Sequence, residues 1–413
     1  MTSQIVLINQ SGVALASDTM TTYVRGQGNV KTFPTANKIY ELSGDHNVVV
    51  LHSGISALGG LSYELLVREW SLQLSGPLPA LEDYPRVFDD WLANYRRLQI
   101  DEVDAVYNLI CDAFVGVVPK IPKSSLKEIL ASKISDKASN ELAEYLRSFA
   151  DQFFKDDHPY GDLTDESLLN FIRSQKSSVV EHFIEHLALQ IDVEKISWQP
   201  SSMLSDAIEY FVLQRMKHWC PAPGGATLVF AGFGADEPIG GVIEIRVDSF
   251  YMGRLRFRSK PRGPAPGKSD VWIATFAQDE ALADFITGLS ASRREQLINS
   301  AVEILRDIAK ESLSNDKLSK FSEDFEARMG DEAWKDYTLP FRQTVKALSL
   351  SNLVQLCESL IRIQTLRSIT AADEATVGGR IESLCISRDK GVHWHLRYDE
   401  TRTFDPNPIH PLV

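Results

Sequence analysis

The chain has 413 residues, of which 44% are hydrophobic and 24% are charged, as in soluble globular proteins long enough to hold more than one structural unit. The formal net charge of −13 argues against nucleic acid or an anionic membrane surface as a partner, because no basic excess remains to neutralise phosphates. We find no basic, apolar leader, no apolar run of membrane-spanning length and no CxxC pair among the four cysteines, so we expect free thiols and a cytoplasmic location.

The first part of the chain predicts an antiparallel sheet. Residues 4–8 and 12–17 are short apolar runs, and the NQSG between them is typical of a hairpin turn. A polar stretch with glycine and proline follows, and then come two strand patterns, KIYEL and HNVVVLHSG. The next segment, residues 56–74, has the apolar spacing of a helix.

Further along the chain, strand and helix patterns occur in blocks. We predict an N-terminal sheet portion at 1–84, a helical insertion at 85–222, central strands with a helix at 223–289, a second helical insertion at 290–345, and a long helix with a closing hairpin at 346–413. Such blocks favour an α+β fold over a parallel α/β sheet, in which single strands and helices alternate.

Threonine at position 2 gains a chemical role when Met1 is removed, and the small side chain of Thr2 permits that removal. The new chain end then carries an amine and a hydroxyl on one residue, and the amine can act as the general base for the hydroxyl. An unperturbed α-amine titrates near pKa ~7.7–8.0, already close to a useful base. A lysine ammonium about 4 Å away would lower that pKa further.

The order of the motifs behind Thr2 resembles the proteasome β-subunit family of threonine N-terminal-nucleophile hydrolases, as a divergent bacterial-type member with helical insertions. GVALASDT places Asp18 at the family's spacing from Thr2, and NKIYEL places Lys38 at the catalytic lysine. LHSGISALGG places Gly54 where the family supplies an oxyanion-hole amide. The resemblance implies a four-layer αββα sandwich of two antiparallel sheets.

Other positions complete the resemblance. DEATVGGRIESLCISRD is similar to the family's acidic residue and double glycine before the last hairpin, and Asp373, or Glu374 beside it, takes the acidic place. Thr22 offers a hydroxyl for contact with the substrate backbone, and His52, just before the oxyanion turn, is a candidate for a specificity pocket. The chain departs from the family in WIATFAQDEALADF, which lacks the serine that helps to hold the amine.

The function that the resemblance implies is peptide-bond hydrolysis by a self-processed threonine hydrolase without a cofactor or metal. It implies a polypeptide substrate, a homo-oligomer such as a ring, and an unfoldase or activator as a further partner. Two alternatives stand beside it. One is an inactive scaffold or regulatory subunit, which Met1 retention would favour, and the other is a small-molecule amidase with the same nucleophile.

Three other motifs favour structural interpretations. RGPAPGKSD has its first glycine one residue too close for a phosphate loop, so a hairpin loop is expected. His182 and His186 share a helix face but lack a third ligand, and we interpret them as a solvated face. His393 and His395 share a strand face and indicate packing or surface.

Overall fold

The computed structural model describes residues 2–25, 29–33, 36–95, 97, 136–154, 164–174, 201–218, 225–261, 271–309, 314–370 and 377–397. Within these ranges the chain combines antiparallel sheets with helices that lie apart from the strands in sequence. The predicted α+β class is therefore confirmed, and the alternative of a parallel α/β sheet is wrong.

The strands of the first half of the chain are β1 (Ser3–Asn9), β2 (Gly12–Asp18), β3 (Thr21–Arg25), β4 (Asn29–Phe33), β5 (Ile39–Glu41), β6 (Val48–Gly54), β7 (Ala57–Leu58) and β8 (Leu61–Ser62). Those of the second half are β9 (Ala226–Gly232), β10 (Gly241–Tyr251), β11 (Arg254–Pro261), β12 (Trp272–Ala277), β13 (Ile381–Ser387) and β14 (Gly391–Leu396).

The described helices are α1 (Tyr63–Ser71), α2 (Asp83–Ala93), α3 (Asp136–Phe153), α4 (Asp165–Ser174), α5 (Ser202–Lys217), α6 (Glu280–Thr287), α7 (Ala291–Ala309), α8 (Asn315–Ala333), α9 (Leu339–Ala347) and α10 (Leu350–Thr370). A π-helical turn, Trp334–Thr338, joins α8 to α9. Among the described residues, none of these helices combines the length and apolarity that crossing a membrane requires.

Two five-stranded sheets form the centre of the molecule. The first has the order β12-β1-β2-β13-β14, and the second has the order β11-β10-β9-β6-β5. All pairings within them are antiparallel, including β1 with β12 and β6 with β9. Both sheets therefore combine strands from the beginning of the chain with strands that come more than about 170 residues later.

Successive side chains along each strand point to opposite faces of its sheet, and both faces of each sheet are buried. Val6 and Leu15 of the first sheet pack in one core with Val49 and Leu51 of the second, so these faces meet each other. The opposite face of the first sheet, which includes Ile5, packs against α6, α9 and α10. The opposite face of the second sheet packs against α1 and α2. Burial on both faces explains why these strands read as continuous apolar runs rather than alternating ones.

Two local predictions differ from the structure. Residues 56–62 form the small hairpin β7–β8, because Gly59 and Gly60 have positive φ, and the helix begins only at Tyr63. The side chain of Ser62 accepts the amide N–H of Leu65 at 3.2 Å and caps this helix. The polar stretch before Lys38 contains a second hairpin, β3–β4, that its composition did not indicate.

The described parts of the 85–222 and 290–345 segments are helical. The boundaries of the five segments that the sequence predicts stay predictions. The loop RGPAPGKSD, the pair His182 and His186, Met1 and Asp373 lie outside the described residues.

Candidate functional site

The Asp18 carboxylate joins the start of β1 to Lys38 and to the chain before β13. One carboxylate oxygen, Oδ1, accepts the amide N–H of Ser3 and the Lys38 ammonium, each at 2.9 Å. The other, Oδ2, accepts the amide N–H of Gly378 at 3.1 Å and that of Met20 at 3.3 Å. The side chain of Asp18 is completely buried, and these four donors replace the water that it loses.

The β1–β2 hairpin places Asp18 at this point. Gln4 lies opposite Ser17 in the antiparallel register, so the next pair outward brings Ser3 opposite Asp18. A tight turn at residues 10 and 11 sets that register. The spacing between Thr2 and Asp18 in the sequence therefore follows from the geometry of one hairpin.

Thr2 is held at both ends of its peptide bond to Ser3. The carbonyl oxygen of Thr2 accepts a hydrogen bond from the amide N–H of Gln278 at 2.8 Å, and the N–H of Ser3 donates to Asp18. Only 6% of Thr2 is exposed. Position 2 is therefore not a frayed end, and the peptide group between Thr2 and Ser3 has a fixed position.

Lys38 is buried beside this carboxylate. Its ammonium donates to Asp18 and, at 2.6 Å, to the carbonyl oxygen of Met20. Burial lowers the pKa of Lys38, and the negative charges of Asp18 and Glu382 oppose that effect. Only 5% of Lys38 is exposed.

Glu382 is a member of the site that the sequence analysis missed. Its carboxylate accepts the backbone N–H of Lys38 at 3.4 Å, and the residue is 1% exposed. The available signal was a glutamate within the apolar run IESLCIS of a predicted strand, because charged residues are seldom buried without a partner. We call Thr2, Asp18, Lys38 and Glu382 the Asp18 cluster.

Gln4 is a second residue that the sequence analysis missed. Its side-chain amide donates to the carbonyl oxygen of His52 at 2.9 Å and to the Ser17 hydroxyl at 3.4 Å. It thereby ties the start of β1 to the end of β6 across the space between the sheets. The signal was a glutamine on the same strand face as Thr2, ahead of purely apolar residues.

Gly54 ends β6 with φ of +88° and is exposed. A Cβ atom on this residue would lie 2.2 Å from the carbonyl oxygen of Gly225, so both the backbone conformation and the space require glycine. Gln4 bonds His52, two residues before Gly54, and lies two residues after Thr2. The link places the end of β6 close to the start of β1.

His52 is packed inside the protein between Tyr40 and Tyr63, with ring centroids 6.2 and 5.0 Å away. Burial lowers the pKa of His52 to about 4, with the charge of Lys38 acting in the same direction. The ring is therefore neutral at pH 7, and its Nε2–H donates to the carbonyl oxygen of Ile55 at 2.7 Å. Because only 5% of His52 is exposed, the ring supports the turn that carries Gly54.

The remaining predicted site residues are in different situations. Thr22 lies in β3, and its hydroxyl oxygen is buried without a hydrogen-bond partner among the described residues. Asp373 is outside the described residues, so its predicted role stays a prediction.

On β14, His395 contacts Glu358 through Nδ1 at 2.6 Å, and His393 is exposed. Within the described ranges, no group of three or more His, Cys, Asp and Glu residues could hold a metal ion.

The arrangement combines a fixed Thr2, a buried ammonium, a buried carboxylate and an exposed glycine turn. These are the parts that acyl transfer needs: a nucleophile, a charge that tunes its base, and a backbone N–H for an oxyanion. No protein-family model matches the chain, and no curated protein is significantly similar to it.

Proposed function

We propose that this protein is a threonine-type N-terminal-nucleophile hydrolase that cleaves peptide bonds after removal of Met1. The observation that carries the proposal is the Asp18 carboxylate, which bonds the Thr2–Ser3 peptide group and the Lys38 ammonium with the same oxygen. One buried anion thus positions the nucleophile residue and a cation together. A frayed terminus and a solvated lysine would need no such junction.

In the proposed reaction, the Thr2 hydroxyl attacks the substrate carbonyl while the free α-amine takes its proton. The new C–O bond forms as the carbonyl π-bond electrons move to oxygen, and the Gly54 N–H stabilises that oxyanion. Collapse of the intermediate expels the amine of the substrate, which receives the proton. Water then attacks the acyl ester by the same route and restores the Thr2 hydroxyl.

Lys38 and Asp18 set the electrostatics of the amine. A nearby ammonium favours the neutral, basic form of the Thr2 amine, whose ordinary pKa of ~7.7–8.0 is already close to neutrality. The Asp18 carboxylate offsets part of that effect on the amine, and its charge also opposes the lowering of the Lys38 pKa by burial. This balance leaves the amine available as a base near pH 7.

The fold supports the proposal through its layers. Two antiparallel sheets share one core, and helices pack on the outer face of each. This agrees with the four-layer αββα sandwich of N-terminal-nucleophile hydrolases, with residues of the long helical segments added outside it. Thr2 and Gly54 lie at ends of strands from different sheets, and the hydrogen bond from Gln4 to His52 ties these two strand ends together.

The proposal is tested by intact mass and N-terminal sequencing of protein with only a C-terminal tag, followed by hydrolysis of a fluorescent unfolded protein. We expect a chain that starts at Thr2 and activity that Thr2→Ala abolishes. Thr370→Ala is the control, because Thr370 is exposed at the end of α10 and, among the described residues, its hydroxyl bonds within its own helix. A mature chain that retains Met1 would exclude the mechanism and leave an inactive scaffold.

A further inference from the structure

A cleft of about 450 Å³ lies beside the Asp18 cluster. Its lining includes the strand β5 at the edge of the second sheet, the helix α1, and Trp394 of β14 at the edge of the first sheet. Glu382, whose carboxylate bonds the backbone N–H of Lys38, also lines it. We call this space the β5 cleft. It is polar, and its volume lies in the range of about 300–1,000 Å³ typical of ligand sites.

Among the strands that the structure describes, none pairs with the outer edge of β5, and this edge faces the β5 cleft. The amide N–H of His52 in β6 donates to the carbonyl oxygen of Lys38, so Lys38 bonds toward β6. In an antiparallel pair, residues that bond to the partner strand alternate with residues that do not. Ile39 and Glu41 therefore turn their N–H and C=O groups away from β6, and both residues line the cleft.

The walls of the β5 cleft suit a strand with alternating side chains. A strand added to β5 would point successive side chains to opposite faces of the second sheet. On the face toward the first sheet lies the Trp394 indole, with the Arg397 guanidinium 4.7 Å from its ring centroid. On the face toward the helices lie Glu64 and Arg68 of α1. An apolar or aromatic side chain fits the first wall, and charged side chains fit the second.

We propose that the free edge of β5 binds an extended polypeptide segment by strand addition, immediately next to Lys38. The backbone groups of Ile39 and Glu41 supply main-chain hydrogen bonds, which recognise any extended peptide. Trp394 and the charged pair of Glu64 and Arg68 supply a preference among side chains. The proposal goes beyond the hydrolase function, because this binding requires neither a free Thr2 amine nor cleavage.

The binding test uses the full chain with Thr2→Ala and a fluorescein-labelled, reduced and carboxymethylated protein as the unfolded probe, followed by anisotropy. Glu41→Pro removes the edge N–H at a position where an edge strand tolerates proline. Glu41→Ala is the matched control, since both variants lose the contacts of the Glu41 side chain with Trp394 and Arg397. We expect Glu41→Pro to weaken binding roughly tenfold relative to Glu41→Ala.

A second measurement does not depend on the folding of the proline variant. Short alternating peptides are compared with the same peptides N-methylated at every second residue, which removes main-chain donors while keeping the side chains. We expect the methylated peptides not to compete for the probe.

Equal binding by Glu41→Pro and Glu41→Ala, together with equal competition by methylated peptides, would overturn the proposal. Self-association that depends on the Glu41 N–H, without probe binding, would overturn it in favour of a second copy. Probe binding that appears only after deletion of residues 398–413 would instead identify the C-terminus of the chain as the occupant. If the Thr2 chain shows no hydrolysis while the probe binds as expected, the hydrolase function fails and the binding site stands.

Discussion

At the scale of single residues, the site depends on the buried pair of Asp18 and Lys38. Their side chains are 0% and 6% exposed, and one oxygen and one nitrogen meet at 2.9 Å. A buried pair adds little net stability compared with apolar residues, but removal of one partner leaves an uncompensated buried charge. The pair therefore has a large cost of disruption, whatever its part in catalysis.

We predict that Lys38→Met lowers the free energy of unfolding by about 3–5 kcal/mol, because the buried Asp18 carboxylate loses its cationic partner. Arg86→Met is the control, since the Arg86–Asp83 pair has the same 2.9 Å distance but an Arg86 side chain that is 71% exposed. It should cost less than about 1 kcal/mol. Urea unfolding measures both, and equal costs would contradict the burial argument.

A pH dependence follows from His52. Its folded pKa of about 4 lies below the ordinary histidine pKa of 6.5, so the unfolded chain takes up a proton first as the pH falls. The contribution of the neutral His52 ring to stability is therefore fully present above pH 6.5, and it decreases as the pH falls from 6.5 to 4. The difference between the two pKa values corresponds to a loss of about 3 kcal/mol in the free energy of unfolding.

We predict that His52→Phe, which keeps an aromatic ring between Tyr40 and Tyr63, flattens this decline in unfolding measurements between pH 7 and 4. His393→Phe, at an exposed position on β14, should leave the decline unchanged. A decline that persists in His52→Phe would assign it to other groups.

At the scale of elements, two glycines that follow each other closely in the sequence are required for different structural reasons. Gly54 and Gly60 both have positive φ, at +88° and +78°. A Cβ atom at Gly54 would collide with the backbone of Gly225, whereas one at Gly60 would meet nothing within 4 Å. The first glycine is required by packing between strands, and the second only by its turn.

We predict that Gly54→Ala is clearly more destabilising than Gly60→Ala, which should cost about 1–3 kcal/mol from backbone strain alone. Gly54→Ala must also move β6 away from β9, which displaces the proposed oxyanion N–H and abolishes hydrolysis. Thermal unfolding and the activity assay test this difference. Similar stability and activity in the two variants would contradict the close approach of β6 and β9.

At the scale of the whole molecule, burial is unevenly distributed. The strands β1 and β2 are buried along their entire length. In α7 and α8, by contrast, the buried apolar residues are Ile298 and Leu318, and Ile304 and Ile308 of α7 are 58% and 73% exposed. The sheets therefore form the stable centre, and α7 and α8 depend on few contacts.

We predict that in hydrogen exchange the amides of α7 and α8 exchange through local opening, much faster than those of β1 and β2. The measurement is exchange followed by mass spectrometry on the full chain at several protein concentrations. Protection of α7 and α8 that equals that of the sheets and rises with concentration would contradict local opening. It would show that another copy covers these helices, as the expectation of a homo-oligomer implies.

The sequence by itself determined the strands and helices that local patterns encode. The apolar runs, the turn between β1 and β2, and the order of Thr2, Asp18 and Lys38 were visible because hairpin geometry and periodicity are local properties. Short segments were less certain. The glycine hairpin at residues 56–62 resembled the start of a helix, and β3–β4 resembled a loop, because their pairing partners outweigh composition.

Only the tertiary structure decided which residues surround the proposed nucleophile. Glu382 and Gln278 reach Lys38 and Thr2 through strand pairings that span most of the chain, and no local pattern encodes such pairings. The role of His52 likewise depended on Tyr40 and Tyr63 on either side of its ring. Residue type is local, but burial and charge environment arise from long-range packing, and these decide how a histidine, a lysine or a carboxylate behaves.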